Sequence, residues 1–265
     1  MAARILLDFI RRQALSSAFA IGLLFAIAAT DLVGPLPVAR YDLLFLFCLF
    51  LQAALLRLRW ESWREVGILS IFHLVGVLLE WVKVRGGSWS YPEDAIFKAY
   101  GVPFYSGFMY ASIASYMSQS WRRLDLEFVR WPKKWLLAMV LAAVYGQFFL
   151  PIQRLSIRYV TLAVVLVAFS RTWVTFTSGD RRLRMPLSSS FLLIGSAVYL
   201  AENFATYFHA WAYPNQEAGW QPVHISKVIS WTLLMVVSMT IVHAYHLRFG
   251  VTRFQPTGRR QAHNE

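Results

Sequence analysis

The sequence predicts an all-α, polytopic membrane protein of about eight transmembrane helices, arranged as two parallel four-helix repeats. Of its 265 residues 57% are hydrophobic and 15% are charged, whereas a typical soluble domain carries about 25% charged residues. Apolar runs near the ~20 residues that span a bilayer recur along the whole chain. The lipid bilayer is therefore the expected partner of most of the apolar surface.

Eight apolar segments define the predicted helices, at about residues 14–31, 38–56, 65–83, 101–121, 134–151, 157–177, 187–209 and 226–246. Residues 1–13 precede them as a short basic lead. A cleaved secretory signal is the alternative for the first segment, because two arginines and an apolar run stand before Ala26-Ile27-Ala28. Cleavage would leave seven helices. The repeat described below favours eight uncleaved helices, since it gives the first segment a counterpart in the second half.

The basic residues predict the orientation of these helices. With the N-terminus in the cytoplasm, 19 of the 26 lysines and arginines fall in cytoplasmic segments, as the positive-inside rule expects. Both termini are then cytoplasmic. The net charge of +12 is explained by an anionic membrane surface, so nucleic acid is not predicted as a partner. The single cysteine, Cys48, cannot form an intrachain disulfide and is expected to be a packing residue.

Two stretches of the chain, 122 residues apart, share residues of scarce types. Residues 80–92 read EWVKVRGGSWSYP and residues 202–214 read ENFATYFHAWAYP, with Glu, Trp, Tyr and Pro at matching positions. Four helices per half give both halves the same orientation, which predicts a pseudo-twofold axis along the membrane normal. The predicted boundaries are 1–122 and 123–254 for the two repeats, with 255–265 as a disordered cytoplasmic tail.

Glu80 and Glu202 are the candidate catalytic residues. A carboxylate inside a spanning helix costs about 2.5–3.5 kcal/mol on insertion scales, and each of these two lies several turns into its helix. Since two nearby carboxylates do not both ionise cheaply, one would serve as acid and the other as base. For Glu80 the alternative is an ion pair with Lys83, three residues on. Glu202 has no cation within one turn of its own helix.

Aromatic and polar residues near the two carboxylates are the candidates for substrate binding. The Trp-x-Tyr-Pro turns either form an aromatic belt at headgroup depth or cover a cavity. The fourth predicted helix is rich in Ser, Gly and Tyr, which favours close helix packing or a polar cavity lining. The predicted substrate-binding residues are Trp89, Tyr91, Tyr110, Asn203, Trp211 and Tyr213.

Histidines near the carboxylates raise the question of a metal. His73 and His209 each lie seven residues from one of the two glutamates, and His224 follows the second turn. There is no HExxH motif and no other closely spaced ligand pair. His73 is equally explained as a buried, hydrogen-bonded residue and His209 as an interfacial one. The sequence therefore predicts no metal site and identifies no cofactor.

These motifs resemble the YoaT-like family of bacterial integral membrane proteins, whose function is unknown. The resemblance covers most of the chain and rests on GSWSYPE at 87–93, GVPFYSGFMY at 101–110, AEN at 201–203, AW at 210–211, YP at 213–214 and GW at 219–220, together with Glu80, Lys83 and Val84. It implies a multi-pass protein of the bacterial inner (cytoplasmic) membrane and brings no reaction with it.

A weaker similarity is to membrane-embedded lycopene cyclases and carotenoid hydratases. These also place a Glu before a turn rich in Gly and Tyr that is followed by Gly-Val-Pro, as Glu80, Tyr91 and residues 101–103 do here. The resemblance implies protonation of isoprenoid double bonds by carboxylates. The chain departs from the cyclases because it lacks their Pro-x-Glu-Glu pattern, and Pro92-Glu93-Asp94 stands in its vicinity.

Three hypotheses for function follow. The first is an enzyme that uses Glu80 and Glu202 as acid and base on a lipid-soluble, isoprenoid-like small molecule. The second is a small-solute or proton-coupled transporter that uses the same carboxylates. The third is a structural or assembly protein in which the carboxylates pair internally. An enzyme of the first kind needs an apolar cavity open to lipid, whereas a transporter needs polar access from both faces. The inner ends of the third and seventh predicted helices carry few polar residues, which favours the enzyme.

Overall fold

The protein is described by a computed structural model that covers residues 1–34, 37–149 and 155–250. Within those ranges it is mainly helical, and the predicted tail at 255–265 lies outside them. The helices are α1 (Ala2–Ser16), α2 (Ala18–Leu32), α3 (Arg40–Arg57), α4 (Trp63–Arg85), α5 (Tyr105–Arg123), α6 (Lys134–Phe149), α7 (Leu155–Ala168), α8 (Leu187–Tyr207) and α9 (Lys227–Phe249). The strands are β1 (Lys98–Ala99), β2 (Val102–Pro103), β3 (Glu127–Val129), β4 (Trp173–Ser178) and β5 (Arg181–Pro186).

Each of the eight predicted segments contains a helix, but length alone does not make each one a span. In the described part of the chain, α4 and α9 are long and apolar enough to cross a membrane. The pair α1 and α2 forms a third candidate if it is one span bent by 67°. The chain is thus a mostly helical protein with two or three clear spans, and the count of eight stays a prediction.

Two boundaries of the sequence prediction were wrong. The basic lead at residues 1–13 is part of α1, an amphipathic helix with Leu6, Leu7 and Ile10 exposed. The predicted sixth helix, 157–177, ends at Ala168, and β4 follows it. The sequence WVTFTS is rich in β-branched and aromatic residues and its burial alternates strictly, which is the pattern of a strand with one buried face.

The two ends of the molecule have different structures. At one end, β3, β4 and β5 form an antiparallel sheet in the order β3-β4-β5. Helix α1 is tied to the β4–β5 turn, where Ser178 Oγ donates to Ile5 O at 2.7 Å and Gly179 N donates to Asp8 at 2.7 Å. We call this end the sheet face. The opposite end carries residues 89–92 and 211–214, and we call it the turn face.

Ion pairs and carboxylate caps fix the chain at both faces. On the turn face, Arg40 pairs with Glu93 at 2.9 Å and with Asp31 at 3.4 Å, while Asp42 accepts two backbone N–H groups from the segment before β1. On the sheet face, a capping box between Ser62 and Glu65 begins α4. These contacts set the ends of the helices that surround the core.

Two consecutive helix pairs, α4 with α5 and α8 with α9, make the most extensive helix contacts. Each pair crosses at glycines. A Cβ at Gly76 of α4 would lie 2.5 Å from the Tyr110 ring of α5, and a Cβ at Gly195 of α8 would lie 2.8 Å from the backbone nitrogen of Thr232 in α9. Small residues at helix crossings are the usual way for helices to approach closely in lipid.

Replacing Gly195 by Ala is expected to lower the free energy of unfolding by about 1–3 kcal/mol, because the new methyl group meets the backbone of α9. Thermal unfolding in detergent measures this as a lower Tm. Gly22→Ala is the matched control, since its Cβ would meet the flexible end of the Leu51 side chain. Equal Tm values for both variants would contradict the close α8–α9 crossing.

Candidate functional site

The carboxylate of Glu80 is enclosed by three hydrogen-bond donors. Trp89 Nε1 and Tyr91 Oη donate to Oε2 at 2.7 and 2.8 Å, and Tyr110 Oη donates to Oε1 at 2.8 Å. The side chains come from α4, from the segment after it and from α5. Glu80 is 3% exposed, so these donors replace the water that a carboxylate otherwise requires.

The carboxylate of Glu202 is held in a similar way. Tyr213 Oη donates to its Oε1, and Trp231 Nε1 of α9 donates to its Oε2 at 2.6 Å. Lys227 Nζ donates to Tyr213 Oη at 2.9 Å, which places a cation one hydrogen bond from the carboxylate. Glu202 is also 3% exposed.

The two turns that carry the aromatic donors leave their helices by the same backbone route. Gly87 after α4 and His209 after α8 lie 122 residues apart and have φ values of +66° and +52°. The next residues, Ser88 and Ala210, donate to the backbone oxygens of Lys83 and Ala205 at 2.9 and 3.0 Å. These left-handed turns fold each Trp-x-Tyr segment back over the glutamate of its own helix.

The two turns also contact one another. Ser90 and Ala212, again 122 residues apart, exchange a pair of backbone hydrogen bonds of 2.9 and 3.0 Å as an isolated antiparallel bridge. The rings of Trp89 and Tyr213 meet edge to face at 5.9 Å. Because Trp89 binds Glu80 and Tyr213 binds Glu202, the two carboxylate clusters are in direct contact through their donors.

Both carboxylates line one large cavity of about 610 Å³, which we call the central cavity. A volume of this size lies within the usual range for small-molecule sites. Its walls are mostly apolar side chains of α2, α5, α8 and α9, such as Leu24, Ile113, Ile194 and Met235. Towards the sheet face it contains a polar pair, in which Tyr116 Oη of α5 donates to Gln13 of α1 at 2.9 Å.

Most of the predicted site residues lie in this region. The central cavity is lined by Glu80, Trp89, Tyr110, Glu202, Trp211 and Tyr213. Tyr91 lies behind Glu80 and is buried. Asn203 turns to a different task, because its side chain binds Val223 N and Tyr199 O at 2.9 Å each and so fixes the segment before α9.

The histidines contact other groups. His73 packs on the Phe108 ring with centroids 4.5 Å apart, His209 lies 3.1 Å from Asp31, and His224 binds Ser226. Within the ranges that the structure describes, no three His, Cys, Asp or Glu side chains are grouped closely enough to hold a metal ion.

Trp231 and Lys227 were missed by the sequence interpretation. Trp231 follows Glu202 by 29 residues, and Tyr110 follows Glu80 by 30 residues, so the nearly equal spacing was the signal that could have found it. The proposed ion pair of Glu80 with Lys83 is replaced by the three neutral donors, and no such pair occurs among the described contacts.

The donors restrict where a proton can lie on each carboxylate. An indole N–H can donate and cannot accept, so Oε2 of Glu80 and Oε2 of Glu202 are acceptors. The Oε1 atoms face the hydroxyls of Tyr110 and Tyr213, which can donate or accept. Burial raises the pKa of the Tyr91 and Tyr213 phenols well above their usual range, so both keep their protons at neutral pH. Proton exchange with a bound molecule is therefore open at Oε1.

Comparison with known proteins gives a family and a fold. The family model described as "Protein of unknown function (DUF817)" matches residues 5–239. The "Uncharacterized protein YoaT" of Bacillus subtilis (strain 168) is 46% identical over 231 residues, which are 87% of each chain.

Among solved structures, an Insig homolog from Mycobacterium vanbaalenii, MvINS, superposes with a TM-score of 0.51 over 71% of this chain and 97% of that one, at 14% identity. A cross-linked trimer of a variant of that protein gives a TM-score of 0.50. At this identity the likeness concerns the fold alone, that of a helical membrane protein.

Replacing Glu80 by Leu is expected to destabilise the protein by about 1–3 kcal/mol for each of the three donors left unpaired in the interior. Thermal unfolding in detergent measures the loss as a lower Tm. Glu217→Leu removes an exposed carboxylate near the turn face and should leave Tm nearly unchanged. A Glu80→Leu variant as stable as the wild type would show that the donors do not depend on this carboxylate.

Proposed function

The chain belongs to the DUF817 family of proteins of unknown function, and we propose that it is an enzyme acting on a lipid-soluble molecule bound in the central cavity. The observation that supports this proposal best is the position of both carboxylates at the end of an otherwise apolar cavity of about 610 Å³. Such a cavity fits an apolar, isoprenoid-like chain, with a reactive group at Glu80 and Glu202.

The two carboxylates have different neighbours, which suits an acid and a base. Glu80 receives three neutral donors, whereas Glu202 is linked through Tyr213 to the cation of Lys227. A nearby positive charge favours the ionised form of a carboxylate. We therefore assign the role of base to Glu202 and the role of acid to Glu80, with Tyr110 and Tyr213 next to the oxygens that exchange protons.

The proposal places this site in an eight-helix membrane protein built from two parallel halves. The antiparallel bridge between Ser90 and Ala212 supports the repeat, because a twofold axis pairs equivalent residues with each other. Equal spacing of helix ends supports it too: α4 and α8 end 122 residues apart, at Arg85 and Tyr207, and α5 and α9 begin 122 residues apart. In this arrangement the turn face is outside and the sheet face is cytoplasmic.

Proton-coupled or small-solute transport is the second candidate, and one observation favours it. The hydrogen-bonded pair of Gln13 and Tyr116 lies in the central cavity beside the 67° bend between α1 and α2. A bend that moves could open a polar path from the sheet face to the carboxylates. The apolar lining between these two polar regions favours the enzyme.

Native mass spectrometry of the protein, purified gently in detergent, tests the proposed function. The wild type is expected to retain a lipid-soluble molecule that is not bulk phospholipid, and a Glu80→Gln/Glu202→Gln variant is expected to lose it. An Asp94→Asn/Glu217→Gln variant, which changes two exposed carboxylates near the turn face, should retain it. Bulk phospholipid alone on all three proteins would sink the enzyme proposal and favour transport.

Cysteine labelling tests the proposed membrane arrangement. In a Cys48→Ser background, Val38→Cys and Glu217→Cys should react with a membrane-impermeant maleimide in intact cells, because they lie in turn-face connections of the two halves. Arg59→Cys and Arg181→Cys, on the sheet face, should react after permeabilisation. If one turn-face and one sheet-face position react from the same side, the eight-helix arrangement is wrong.

A further inference from the structure

A second pocket lies beside the central cavity on the turn face. Its volume is about 290 Å³, and its walls come from α4, α6, α7 and α9. Four aromatic residues line both this pocket and the central cavity, and so form the wall between them: Trp89, Tyr110, Tyr213 and Trp231.

Three cations converge on this pocket. Lys83 of α4, Arg158 of α7 and Lys227 of α9 line it, together with His224. Among the residues that the structure describes, none of these three cations makes an ion pair within 4.0 Å, and no Asp or Glu lines the pocket. The Nζ atom of Lys227 lies over the Trp89 and Tyr213 rings, 4.9 and 4.5 Å from their centroids.

The other cations at this end of the molecule have partners. Arg40 pairs with Asp31 and Glu93, Lys98 donates to two backbone oxygens at 2.7 and 2.8 Å, and Arg85 lies over the Trp81 ring. The positive-inside rule disfavours basic residues at the end assigned to the outside. Three like charges around one partly enclosed pocket repel each other, so the arrangement calls for an anion that offsets their charge.

We propose that this pocket binds a phosphate group, supplied either by a lipid head group or by free phosphate. The guanidinium of Arg158 can bind two phosphate oxygens at once, and the two ammonium groups add charge. The side chains of Ser226 and Ser230 line the same pocket and can donate to the remaining oxygens. The pocket also includes the start of α9, and a helix N-terminus favours a bound anion.

A dianionic phosphate fits this set better than a carboxylate does. Its oxygens point in several directions, as do the cations from α4, α7 and α9, and its charge nearly balances theirs. The site does not require Glu80 or Glu202, so it goes beyond the acid and base roles proposed for the central cavity.

The test compares phosphate binding by the purified protein and by charge-removing variants. Isothermal titration calorimetry with inorganic phosphate measures the free anion, and native mass spectrometry with dioleoyl phosphatidic acid measures the lipid form. Dioleoylglycerol, which has the same chains and no phosphate, is the matched lipid. The variants are Lys83→Gln/Arg158→Gln, the charge-retaining Lys83→Arg, and Arg85→Gln as a control outside the pocket.

The double variant is expected to bind the phosphate probe at least 10-fold more weakly than the wild type, with Lys83→Arg and Arg85→Gln within about 2-fold of it. Binding should weaken as salt rises, as expected for exposed charges. Preference for phosphatidic acid over both dioleoylglycerol and inorganic phosphate identifies a lipid head group. Binding of inorganic phosphate with equal strength identifies the free anion.

The proposal is overturned if neither phosphate probe binds the wild type more tightly than it binds the double variant, with both proteins folded by thermal unfolding. Failure of the enzyme proposal reads out separately. In that case the cavity ligand is absent from the wild type, while phosphate binding is intact in Glu80→Gln/Glu202→Gln.

Discussion

The burial of two carboxylates in an apolar interior is the constraint on which the rest of the site depends. A carboxylate away from water needs several donors in place of its hydration. Glu80 obtains them from the turn after α4 and from α5, and Glu202 from the turn after α8 and from α9. The α4–α5 and α8–α9 pairs must therefore cross closely, which the glycines at 76 and 195 permit.

The need for donors also explains the conformation of the turns. A Trp-x-Tyr segment reaches back to its own helix because the residue two positions past the helix end takes a left-handed conformation. In the first half this residue is Gly87, for which the conformation is free of strain. In the second half it is His209, for which it carries a cost. The contact of His209 with Asp31, which also pairs with Arg40, holds this strained turn in place.

The sequence predicted the residues of the site better than their partners. Glu80, Glu202 and the Trp-x-Tyr-Pro turns could be found because scarce residues recur at one spacing. Trp231 could not be paired with Glu202 from hydropathy alone, since that contact depends on how α8 and α9 cross. Strand β4 was included in a predicted helix because an apolar window reports hydrophobicity without its period, although the alternation over six residues was present. Helix α1 was hidden by its three arginines.

The difference between the two halves carries more functional information than their similarity. Helices α5 and α9 begin at equivalent positions, occupied by Tyr105 and Lys227. Tyr105 donates to the backbone of Ala210, whereas Lys227 reaches Tyr213 beside Glu202 and also lines the cationic pocket. A single change at equivalent positions thus gives one carboxylate a cationic neighbour and leaves the other with neutral donors. Because Lys227 belongs to both sites, an anion in the pocket would draw its charge away from Tyr213, and the proposed base would respond to what the pocket binds.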